Sequence, residues 1–100
     1  MVTLKTAFEF SELIKGENIL VEFTAEWSGP AKMMDMVFEE VESELEGYTL
    51  VKVDSDRFRS IAKDYSVVNV PVICLFSSGK VVKQQSGFMR KEELQSFLNN

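Results

Sequence analysis

Histidine is absent from this chain of 100 residues, and cysteine occurs once, at Cys74. The first absence removes the commonest general base and the commonest metal ligand together. The second excludes an internal disulfide and, with no histidine beside it, a structural zinc site. Positive charge is also scarce: 11 basic residues face 16 acidic ones, for a net charge of −5. That balance argues against a nucleic-acid backbone or an anionic membrane as the main partner. Long apolar runs are missing too. The most apolar stretch, Val67 to Phe76, is interrupted by Asn69 and Pro71 and falls far short of the roughly 20 residues that span a bilayer. Met1-Val2-Thr3-Leu4-Lys5 opens no apolar leader, so the expectation is a cytoplasmic protein with no membrane contact, no metal and no bound cofactor.

What is present suits one domain over residues 1–100, with 45% apolar residues to build a core. Thr6-Ala7-Phe8-Glu9 reads as a capping box, a threonine cap with glutamate three residues on. Phe10, Leu13 and Ile14 follow at helical spacing up to Gly16. Ile19 to Phe23 is nearly all apolar, the pattern of a strand covered on both faces. Next, Ser28 caps a helix whose first turn holds Pro30, where a missing N–H costs nothing. Met34, Val37, Phe38, Val41 and Leu45 carry that helix to Glu46, with Gly47 as its expected stop. Tyr48 to Asp54 reads as a second central strand and Arg57 to Asp64 as a short helix. Val72 to Phe76 and Val81 to Gln85 form a hairpin around Ser77-Ser78-Gly79-Lys80, and Lys91 to Leu98 is a closing helix. Val2 to Leu4 offers a possible further strand. Alternation followed by a hairpin predicts an α/β fold: a mixed central sheet of four to five strands with helices on both faces.

The hexapeptide Trp27-Ser28-Gly29-Pro30-Ala31-Lys32 stands at the junction between a strand and a helix. Further on come Lys52 ahead of an acidic pair, Val70-Pro71-Val72 before a strand, and Gly87 before the last helix. This combination at this spacing resembles the thioredoxin family over almost the whole chain. The family frame is Trp-Cys-Gly-Pro-Cys-Lys, so Ser28 stands at the place of the attacking cysteine and Ala31 at that of the resolving one. The resemblance implies a thioredoxin fold, with a cis peptide before Pro71 and the backbone of Val70 offered to an extended substrate segment. It also implies that Glu22 falls where the family keeps a buried aspartate that helps to move a proton. Glutamate departs from that aspartate, with an arm long enough to reach solvent or Lys52. The residues alone place such a lone strand carboxylate at a half-open edge.

A cysteine at a helix N-terminus is held as thiolate by the helix dipole and free N–H groups. A hydroxyl there stays protonated, and alanine has no reactive atom. The resemblance therefore implies the scaffold of a protein disulfide oxidoreductase, recycled by a thioredoxin reductase, that is redox-inactive as written. It would contact the reductase and disulfide-containing proteins without a covalent link. The paired replacement reads as deliberate inactivation by design. The alternative is a natural, redox-independent binding module. The family leans to monomers. A hydrolase using Ser28 as nucleophile is a poor reading, since no histidine exists to activate it.

Other features take plainer readings. Cys74, alternating with Val72 and Phe76, is a core residue. Met34 belongs to the core side of its helix, and Met36 replaces a helix-kinking proline of the family. Glutamates 39, 40, 42, 44 and 46 form a solvated helix face. Trp27, Val70, Gly87, Phe88 and Met89 are expected to make an apolar rim around the helix start, with Gly29 and Pro30 at its centre.

Overall fold

Residues 1–99 are described by the computed structural model; residue 100, the end of the expected domain, lies outside the described residues. The strand Ile19–Thr24 (β2) is buried at every position and occupies the middle of a five-stranded mixed sheet. It runs parallel to Thr49–Asp54 (β3) and antiparallel to Val72–Ser77 (β4). Val2–Thr3 (β1) adds to the outer edge of β3, and Lys80–Ser86 (β5) to that of β4, for the order β1-β3-β2-β4-β5. The short strand at Val2 is therefore real. The β4–β5 turn has positive φ at both Ser78 and Gly79, which matches the twist of the flanking strands.

Each sheet face is covered by two helices. Ala7–Leu13 (α1) and Arg59–Asp64 (α3) bury Phe10, Ile61 and Ala62 against Val21, Phe23, Val51, Cys74 and Phe76. Gly29–Val41 (α2) and Lys91–Asn99 (α4) bury Met34, Phe38 and Leu94 against Leu20, Leu50, Ile73 and Leu75. The alternation of strand side chains explains why β2 has apolar residues on both sides.

Two expectations on helix limits are corrected. The central helix does not reach Glu46: α2 ends at Val41 and continues as a 3₁₀ turn, Glu42–Glu44. Gly47, at φ +83°, belongs to the turn beyond. No basic residue lies in the last turn of α2, whose negative end carries Glu39, Glu40, Glu42 and Glu44; compensation for three of these comes from outside the helix, from Lys91 and the amino terminus. The third helix begins at Arg59 rather than Arg57, because the Asp54 carboxylate accepts the N–H groups of Asp56 and Arg57 and holds them in a turn.

Candidate functional site

The end of β2 runs through Ala25 and Trp27 into Ser28, the N-cap of α2. The Ser28 hydroxyl accepts the Ala31 N–H at 3.1 Å and so satisfies one of the orphan donors of the first turn. It also donates to the Val70 carbonyl at 3.4 Å. Pro30 sits in the first turn, where its lack of an N–H is harmless. The Val70–Pro71 peptide bond is cis, and the Pro71 carbonyl accepts the N–H of Gly87 at 2.8 Å. The helix start, the cis-proline loop and Gly87 are thus tied together by hydrogen bonds, although they lie far apart in sequence.

Ser28 is only 6% exposed and Ala31 is fully buried, whereas Trp27 stands 70% exposed beside them. The Trp27 indole N–H donates to Asp56 at 2.8 Å, which fixes the ring over the loop after β3. Val70 is half-buried and Phe88 likewise, so both still offer an apolar edge. A cleft of about 360 Å³ opens between Trp27, Ala62, Val67, Val68 and Val70. Gly29 has open space where a Cβ would stand. Met89 is corrected: it is not on the rim but in the core, its N–H directed at the Met34 sulfur at 3.4 Å. Val68, 83% exposed, takes its place in the apolar rim.

Glu22 lies beneath this surface and is fully buried, not at a half-open edge, because β2 is covered by β3 and β4 on its flanks and by helices on its faces. Burial first, then the neighbouring carboxylate of Asp35, raise its pKa to about 10. Lys52 is its register partner on β3 and opposes that rise, but the Lys52 ammonium lies nearest to Asp35, at 3.9 Å.

Asp35 was not foreseen as a site residue. Its signal was legible, for it follows Ala31 by four positions and precedes Phe38 by three, on the buried stripe of α2. A charged residue on that stripe needs an explanation. Cys74 is fully buried on the opposite sheet face, with its thiol pushed up to about 12 by desolvation. That keeps it an unreactive core residue at neutral pH. Among the described residues no cluster of potential metal ligands occurs, and no helix is long and apolar enough to cross a membrane.

The thioredoxin family model matches residues 1–100. A thioredoxin of Mycoplasmoides gallisepticum is 34% identical over 91 residues, covering 90% of this chain and 91% of that protein. A thioredoxin of Chlamydia trachomatis is 37% identical over 94 residues, covering 94% and 92%. Among solved structures, one chain from work on the thiol-resolving mechanism of yeast mitochondrial 1-Cys peroxiredoxin via glutathione/thioredoxin systems superposes with a TM-score of 0.88. It is 26% identical, and the match covers all of this chain and 95% of that one.

Proposed function

Since the chain belongs to the thioredoxin family, a thiol–disulfide oxidoreductase scaffold, we propose that it is a redox-silent docking module with the family's two thiol positions vacated at Ser28 and Ala31. It recognises extended, disulfide-bearing protein segments and a thioredoxin reductase through contacts that remain non-covalent. It acts as a monomeric single domain in the cytoplasm. The observation that carries this reading is the Ser28 hydroxyl at the amino end of α2, 3.4 Å from the carbonyl that precedes the cis-proline. An attacking sulfur would sit there within reach of free N–H groups and beside the backbone that pairs with substrate. Ala31, one turn on, leaves no second sulfur to resolve a mixed disulfide. The exposed Trp27 and the cleft it shares with Val68 and Val70 supply the apolar contact area.

The test is the double change Ser28→Cys with Ala31→Cys, assayed by reduction of insulin or of a small aromatic disulfide. In that reaction the new dithiol is oxidised to a disulfide while the substrate disulfide is reduced to two thiols. Activity is expected in the double variant and not in the chain as it stands. No gain over the unaltered chain overturns the reading.

Serine and alanine are both small steps from cysteine, which favours a second statement: the parent is an active oxidoreductase, altered by design at these two positions. Cysteine codons at 28 and 31 in the native gene support it. Serine and alanine codons refute it and leave the natural binding module.

A further inference from the structure

Two buried carboxyls, one on β2 and one on α2, lie apart from the vacated thiol positions. Glu22 is fully buried and Asp35 is 9% exposed. Neither oxygen of Glu22 and not the Oδ1 of Asp35 has a donor among the protein's own groups. The two side chains nevertheless share a neighbour: Lys52 is the register partner of Glu22, and its ammonium lies 3.9 Å from Asp35. Two ionised carboxylates cannot bond, because each has only acceptors. A single proton between them turns one into a donor and removes one of two like charges from a dry interface.

The surrounding elements supply little else. From β3, Lys52 faces the pair and Asp54 follows it on the same side, with the Asp54 Oδ1 already bonded to two backbone N–H groups. From β4 the register partner of Glu22 is the apolar Ile73. From α2, Lys32 lies one turn before Asp35, but its ammonium is bound to Glu26 at 2.7 Å. Among the described residues the cation that faces the pair is thus Lys52, 3.9 Å from Asp35.

A cavity of about 230 Å³ adjoins this cluster, lined by Thr24, Lys32, Asp35, Lys52, Asp54 and Arg57 among others. Asp35 lines it, whereas Glu22 does not. The buried hydroxyl of Thr24, also without a protein partner, lines the same space. A polar cavity of this size has room for water, a partner for such groups.

We propose that Glu22 and Asp35 share one proton across the β2–α2 interface, with Lys52 as its cationic cap, and that Asp35 is the member that exchanges this proton with water in the adjoining cavity. The chain therefore carries an internal acid–base pair near neutral pH without using histidine. Asp35 acts as a positioning residue here: it holds the proton of Glu22 in place and links it to solvent.

The experiment is a carboxyl-carbon NMR titration of the intact chain, labelled at aspartate and glutamate side chains, from acid to alkaline pH. In the unaltered chain the Glu22 carbon is expected to remain at its protonated position through pH 7. The Glu22 carbon should show a two-step curve, the mark of a proton shared with a second acid. Asp35→Asn should lower the Glu22 midpoint by about one unit or more, a tenfold loss of proton affinity, since it removes the like charge and adds an amide donor. Lys52→Met should raise it. An ionised Glu22 at pH 7, or a midpoint unmoved by both variants, overturns the proposal. Should Asp35→Asn fail to fold, the Lys52→Met shift and the two-step Glu22 curve of the unaltered chain still decide. None of these readouts depends on disulfide exchange, so the proposal stands or falls apart from the docking function.

Discussion

Replacing Glu22 by glutamine should stabilise the protein, and the gain should grow with pH. Glutamine keeps the shape of a protonated glutamate and can donate to Asp35. In the unaltered chain the folded state holds a proton on Glu22 up to a pKa of about 10, whereas the unfolded chain releases it near 4.5. Below about pH 4.5 both states are protonated and Glu22 leaves stability unaffected by pH. Above that value the unfolded state gains by ionising and the folded state does not, so stability falls as pH rises, until the folded pKa is passed. Each unit is worth about 1.4 kcal/mol. Between pH 4.5 and neutrality the difference amounts to roughly 3 kcal/mol for any folded pKa well above 7. Urea unfolding of both forms at pH 5, 7 and 8.5 measures it. For a urea slope of about 1 kcal/mol/M, the Glu22→Gln midpoint at pH 7 should lie roughly 3 M above that of the unaltered chain. The gap should narrow markedly at pH 5. A gap that does not change with pH would refute the reasoning, because only a proton held differently in the two states produces the slope.

Two further outcomes are expected. Ser28→Ala removes the side-chain acceptor for the Ala31 N–H at a site only 6% exposed; unfolding should show a loss of about 1 kcal/mol, or roughly 4–8 °C in melting temperature for a chain of this size. A loss of nothing measurable would mean that another group caps α2. Cys74, buried and with its thiol raised to about 12, should resist an aromatic disulfide reagent in the folded protein at pH 8 and react promptly in denaturant. Equal rates in the two conditions would show the β4 core open to solvent.

Much of this architecture was legible because local chemistry and global fold agree. The Thr6 and Ser28 caps, Pro30 in a first turn, the apolar run of β2 and the Ser78-Gly79 turn each state a local conformation, and the structure adopts every one. Helix limits were less legible. The apolar spacing through Leu45 argued for a longer α2, but the chain tightens into a 3₁₀ turn where three glutamates find their cations in Lys91 and the amino terminus, distant partners that periodicity alone does not register. Convergence on the helix start argues for Met89 in the rim with Phe88, yet burial against Met34 is a long-range contact with no local signature.

The amino-acid order by itself determined the family, the order of elements and the emptiness of positions 28 and 31 in sulfur, because these are matters of residue type and spacing. Tertiary structure alone decided that every flank of Glu22 is closed, that Asp35 stands 3.9 Å from the Lys52 ammonium, and that the Ser28 hydroxyl touches the Val70 carbonyl. The physical reason is that desolvation and hydrogen bonding between distant segments depend on how sheet and helix pack. A strand carboxylate reads the same in sequence whether it faces water or another acid.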